Sequence, residues 1–297
     1  MEQDSSDVLE ALYTRGERFY SFGEMYAAKE SLNSALMINR QHAPTWNLLG
    51  LVHQALKEYE EACKCFREAM SIDSSWTDPA KHLGMLLLEM NKSKEAVEAL
   101  SLYHRLGGRE LEPLLSLVRT AFETGVCETV IAVTSDIIDL YEESYEVWEL
   151  RGLCQARLGK FNAASVSLNM AIDLNPSSIK ALNMAGHICY ESGNYTRASE
   201  FYATSLSLDS AQPQILFRQG TSLWFIERWP EAIPLLERYV EIVPDDAKGW
   251  NNLGVVLREK GLVKRAIECF NRALRIDPHF EAARANIATA MKKQAVP

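Results

Sequence analysis

Apolar residues in this chain return at three- and four-residue steps through most of its length, as in Trp250, Leu253, Gly254, Leu257 and then Ala266, Phe270, Ala273. That period places them on one face of a helix, and no strand-to-helix alternation interrupts it. The helical pattern is itself repeated. Gly16, Gly50, Gly84, Gly152, Gly186, Gly220 and Gly254 lie 34 residues apart, or 68 across one gap where Val118 stands. A second column holds Ala28, Ala62, Ala96, Val130, Ala164, Ala198, Ala232 and Ala266, and a third holds Leu32, Phe66, Leu100, Thr134, Leu168, Tyr202, Leu236 and Phe270.

Each period reads as two short amphipathic helices joined by a turn. Glycine in the first helix costs about 1 kcal/mol of helix stability against alanine, so its recurrence points to close packing against the second helix, where alanine is equally small. Pro176, Pro244 and Pro278 end second helices and fix the turn into the next period.

Trp46-Leu49-Gly50-Ala62-Phe66-Ala69, Trp148-Gly152-Ala164-Leu168-Ala171-Pro176 and Trp250-Leu253-Gly254-Ala266-Phe270-Ala273-Pro278 resemble the tetratricopeptide repeat signature. Counted in register, the repeats occupy 9–42, 43–76, 77–110, 111–144, 145–178, 179–212, 213–246 and 247–280, after a tail at 1–8. Residues 281–297 supply a C-terminal capping helix and tail, covering the apolar face of the last repeat. The resemblance implies an all-α, right-handed superhelical solenoid of eight 34-residue helix-turn-helix repeats, a single domain with one concave surface lined by the first helices.

The fourth repeat fits worst. Val118, Val130, Ile137 and Glu142 replace the expected glycine, alanine, alanine and proline, and Gly107-Gly108 and Gly125 flank it. Two readings stand: wider helices with free backbone around them, making a change of curvature or a hinge, or an ordinary diverged repeat with compensating packing.

In the family the resemblance points to, groove-facing side chains come from the first helices. Projected onto those places, repeats one to five give the acids Glu10, Glu17, Asp78, Glu89, Glu112, Glu123, Glu146 and Glu149 against Lys81, Arg119 and Arg157. Repeats six to eight give Lys180, Arg218, Lys248 and Arg258 against Glu191 and Glu259, interleaved with Asn183, His187, Tyr190, Phe217, Thr221, Trp224, Asn251 and Asn252. Amides can donate and accept along a peptide backbone, aromatic faces supply contact area, and lysine or arginine can pair with a carboxylate. The set partly resembles the clamp by which chaperone-binding members of the family hold a terminal carboxylate, with Lys248 at the matching lysine place. It departs from that clamp where His187 and Arg218 stand at asparagine places and Asn252 at an arginine place. The plainer reading is a solvated inner face. Trp229 and Trp76 are read as packing residues.

The composition changes the picture by exclusion. Hydrophobic residues make up 47% and charged residues 24%, values of an ordinary folded protein. The formal net charge of -9 makes nucleic acid and anionic membrane poor partners. No apolar run approaches the roughly 20 residues that span a bilayer, and the acidic start MEQDSSDVLE lacks a secretion signal, so the cytoplasm is the expected compartment. Six cysteines and six histidines show no metal-ligand or redox spacing, and the chain lacks a phosphate loop, HExxH or GxSxG, so no metal, cofactor or catalytic centre is expected. The function expected is a non-catalytic adaptor or scaffold that receives a peptide, helix or disordered tail of another protein in its groove. The alternative is a structural subunit that uses its ends or convex face.

Overall fold

The structure, a computed structural model, describes residues 2–294, with side chains from 5 to 292. Among them are 17 α-helices and no strand. The chain divides into two compact units, Met1–Tyr141 and Glu142–Pro297.

The N-terminal unit holds four helical hairpins: α1 (Glu2–Ser21) with α2 (Met25–Ile38), α3 (Ala43–Ala55) with α4 (Tyr59–Ile72), α5 (Thr77–Glu89) with α6 (Ser93–Arg105), and α7 (Leu111–Glu123) with α8 (Cys127–Ile137). Four more form the C-terminal unit: α9 (Tyr145–Arg157) with α10 (Phe161–Leu174), α11 (Ile179–Glu191) with α12 (Tyr195–Leu208), α13 (Pro213–Phe225) with α14 (Trp229–Ile242), and α15 (Ala247–Glu259) with α16 (Val263–Ile276). A last helix, α17 (Glu281–Gln294), packs on α16 and α15. Within each unit every second helix also packs on the first helix that follows it, and successive first helices touch one another. Each unit is thus a stack of hairpins, an all-α solenoid arrangement. One boundary differs from expectation, because α1 already begins at Glu2, inside the stretch set apart as a tail.

The reason for the glycine column is visible at atomic level. A Cβ built on Gly50 would stand 2.5 Å from a ring carbon of Phe66, on Gly186 2.6 Å from Tyr202, and on Gly254 2.5 Å from Phe270. The same clash with a leucine recurs at Gly16, Gly84, Gly152 and Gly220. The partner is therefore the large residue of the third column, laid across the bare backbone of the first helix, while the alanines beside it are fully buried.

A second periodic constraint sits in the hairpin turns. Residues 23, 57, 91, 125, 159, 193, 227 and 261 all have positive φ; five are glycine, and Lys57, Asn91 and Glu227 adopt φ of 62°, 57° and 60°. The joints between hairpins are tied differently. The indole Nε1 of Trp46, Trp148 and Trp250 donates to the carbonyl six residues upstream, on Arg40 (2.8 Å), Glu142 (2.9 Å) and Pro244 (2.9 Å). In α17, Arg284 stands at the same register and donates to the carbonyl of Pro278.

The fourth hairpin is built on exchanged sizes. Val118 occupies the glycine place and Thr134 the large-residue place, both fully buried. Its helices run close together over less of their length than any other hairpin's, and α8, at 11 residues, is the shortest helix. Two of the glycines before it are held by contacts of their own. Gly107 closes α6 in a left-handed cap, with its N–H donating to the His104 carbonyl, and Gly108 lies under the Tyr103 ring, where a Cβ would meet carbon at 2.2 Å. The Tyr103 hydroxyl then accepts from the Glu110 N–H at 2.9 Å.

Candidate functional site

The N-terminal unit holds 13 Lys and Arg against 22 Asp and Glu, the C-terminal unit 18 against 18, so the net charge belongs entirely to the first. Acids projected onto the inner places of the N-terminal unit are partly engaged: Asp78 holds Lys81 at 3.1 Å, with Glu110, from outside the projected set, at 2.6 Å, and Glu89 accepts from Tyr59 at 2.8 Å. Glu149, in the C-terminal unit, is buried and takes a hydrogen bond from Ser178, whose hydroxyl also caps α11, so it does not face a groove.

All twelve candidate ligand-facing residues fall on the adjacent first helices α11, α13 and α15. The fold brings several together. On α11 and α13, Arg218 Nη1 lies 2.9 Å from His187 Nδ1 and 3.7 Å from Glu191, with its guanidinium 5.7 Å from the Tyr190 ring centre. Burial and the neighbouring Arg218 charge push the His187 pKa down, which keeps its ring neutral and able to accept. Beneath this cluster lies Tyr202, fully buried, its phenol pushed up to about 12 by loss of water. Asn183 donates to Gln212 at 2.7 Å and is held rather than offered.

At the start of α15, Asp246 caps the backbone N–H groups of Lys248 and Gly249 at 3.0 and 3.1 Å and accepts from Tyr239 at 2.7 Å. That fixes the exit of Lys248, whose ammonium stands 5.7 Å from the Phe217 ring centre. Lys248 and Lys180 are both exposed. Further along, Thr221, Trp224, Asn251, Asn252 and Arg258 line one cavity of about 330 Å³ together with Val255, Val256 and Asn286. Not all of these offer free polar groups. The Thr221 hydroxyl donates to its own helix at Phe217 and Arg218, and Arg258 is held by Glu259 (2.8 Å) and Asn286 (3.0 Å). Asn286, from α17, also donates to Asn251 at 2.9 Å. The sequence reading missed Asn286 because it treated the last helix only as a lid; its place in the 34-residue register, one period after Asn252, was the available signal.

The profile of the tetratricopeptide repeat matches residues 43–76, 179–212 and 217–281, the stretches whose hairpins carry the glycine contacts described above. The chain is a tetratricopeptide repeat protein. Among tetratricopeptide relatives, it is 28% identical over 112 residues to the Hsp70-Hsp90 organizing protein of Triticum aestivum, covering 38% of this chain and 19% of that one. It is 20% identical over 252 residues to anaphase-promoting complex subunit 3 of Schizosaccharomyces pombe, covering 85% of this chain and 32% of that one. The chain therefore spans a third or less of these relatives' lengths. In fold it is similar to a chain of the solved structure of Naa15/Naa10 bound to HypK-THB, with a TM-score of 0.62 at 15% identity, covering 98% of this chain and 46% of that one. Among the described residues no helix is long and apolar enough to cross a membrane, and no group of three or more His, Cys, Asp or Glu is placed to hold a metal ion.

Proposed function

We propose that the chain is a non-catalytic protein-interaction scaffold of the cytoplasm, whose α11–α13–α15 face receives a peptide or disordered tail from a partner protein. The observation that carries this reading is the exposure of Lys180 and Lys248 on the face formed by α11, α13 and α15, where Lys248 stands beside the Phe217 ring and an amide-lined cavity lies further along. The acids on the same face are already engaged, Glu259 by Arg258 and Glu191 by Arg218. The face thus offers net positive charge on a unit that is neutral as a whole. Relatives named as an Hsp70-Hsp90 organizing protein and as a subunit of a complex agree with a role in holding proteins.

Lys180→Glu with Lys248→Glu is the test, since Arg218 is tied to His187 and its reversal would disturb packing as well as charge. Affinity capture with the double variant is expected to lose partners that the unaltered chain retains. Unchanged capture would remove this face from the proposal.

A specific observation favours a second reading, a structural subunit docked through its N-terminal unit. Met37 is 86% exposed and Tyr26 76% exposed on α2, and every other hairpin places Ser, Asp, Glu or Arg at the register of Met37. Tyr26→Lys with Met37→Glu would then release a permanent assembly while leaving peptide binding by the C-terminal unit intact.

A further inference from the structure

The cavity among α13, α15 and α17 has a chemistry more specific than peptide binding in general. Its lining is partly apolar, through Trp224, Val255 and Val256, and partly amide, through Asn251, Asn252 and Asn286. At about 330 Å³ it lies at the small end of the range for ligand cavities, roughly 300–1,000 Å³, which suits one large side chain. The apolar wall continues out of the cavity. Trp224 touches Phe225, ring centres 4.6 Å apart, and Phe225 stacks on Tyr195 at 4.0 Å while remaining 44% exposed. At the register of Phe225 the other seven hairpins hold Ser, Ala, Glu or Arg, so the aromatic ledge belongs to this place alone.

The polar groups also discriminate. Arg258, the one cation lining the cavity, is only 13% exposed and gives three of its five N–H groups to Glu259 and Asn286. Its Nε–Nη2 fork is therefore taken by Glu259 and closed to the carboxylate of a chain end. The exposed cations, Lys248 and Lys180, stand at the starts of α15 and α11, along the face rather than in the cavity.

Resting on the reading given under Proposed function, the geometry points to a partner segment of defined chemistry: an internal Leu, Ile, Met or Phe inserted between Trp224 and Val255, with Asp or Glu close by in sequence reaching the lysines. The side chain is the anchor, and its neighbouring backbone faces the amide of Asn252, since Asn251 is buried and tied to Asn252 and Asn286. The acidic flank supplies steering and register.

The test is a library of random dodecamers displayed within a loop, so that no chain end is free, selected on the full-length protein. Enriched sequences are expected to carry a large apolar residue within a few positions of an acid. A selected peptide, made as its amide, should lose about ten- to a hundred-fold in affinity when that apolar residue becomes alanine, the order expected for unburying one large side chain. Val255→Trp, which fills the cavity, should cost the same, with far-UV circular dichroism checking its fold. The peptide-side substitution needs no protein variant and stands if Val255→Trp fails to fold. Two results would overturn the anchor: binding that survives the change to alanine, or enrichment without apolar residues. Peptides that resist Val255→Trp but respond to the Lys180→Glu, Lys248→Glu pair would retire the anchor and keep the face. Peptides indifferent to both, or a library yielding no binder, would retire the face as well.

Discussion

Gly254→Ala reverses the sign that helix propensity alone dictates. On an open helix surface the change would stabilise by about 1 kcal/mol. Here the new methyl would meet three carbons of the Phe270 ring at 2.5, 2.7 and 3.0 Å, and that ring is fully buried. Overpacking of this kind costs about 1–3 kcal/mol, and so close an approach belongs in the upper part of that range. The net expectation is a loss of about 1–2 kcal/mol. The fourth hairpin supplies the control, because it pairs Val118 with Thr134 where the others pair glycine with a large residue. Gly254→Val should cost more than the alanine change, and Phe270→Thr about 3–5 kcal/mol through the cavity it leaves. Together they should recover about 1–3 kcal/mol relative to the sum of the two, the coupling expected of residues in contact. Urea denaturation followed by circular dichroism measures all four variants against the unaltered chain. A neutral or stabilising Gly254→Ala, or strict additivity in the pair, would refute steric packing as the reason for the glycine column.

Three further outcomes follow from other parts of the structure. Lys57→Gly and Glu227→Gly relieve left-handed backbone that the side chains resist, and each should raise stability by about 0.5–1 kcal/mol in the same denaturation assay. Trp250→Phe removes the indole bond to Pro244 and should cost about 0.5–1.5 kcal/mol, seen also as faster amide exchange at the joint before α15. At alkaline pH, burial holds Cys65 up to about 12, Cys269 up to about 11 and Tyr202 up to about 12. The unfolded chain gives up these protons earlier, near the ordinary values of about 8.5–10. Stability is therefore full below about pH 8 and falls as pH rises towards 12. Cys65→Ala with Cys269→Ala should flatten the early part of that fall in a pH series of urea midpoints.

Most of the fold was legible because its determinant is a size pattern, and sizes are written directly in the sequence. A glycine every 34 residues, with a leucine or aromatic 16 residues later, specifies a crossing that few other arrangements satisfy. The turn column at 23, 125, 159, 193 and 261 was equally readable, but Lys57, Asn91 and Glu227 interrupt it and only φ restores the set. The binding face was less legible, since residue type does not tell whether a polar group is available. Arg218 and Lys248 carry the same charge in the sequence; in space one is shared by His187 and Glu191 and the other stands exposed. Thr221 and Glu149 fall at inner places too, yet the first bonds to its own helix and the second is buried under Ser178. The cavity depends on Asn286 from a helix beyond the last full repeat, which the projection of first helices stopped short of.

The Val118 and Thr134 exchange makes the fourth hairpin a key cut differently from its siblings. Were α7 to mate with any other second helix, valine would face a leucine or an aromatic ring; were α8 to accept a foreign first helix, threonine would face bare glycine across a hollow. Near-identical modules on one chain invite crossed partnerships while they fold. A mismatched lock in the middle of the series penalises every such crossing that involves it, so this hairpin can serve as a fixed reference from which the correct sequence of neighbours is counted.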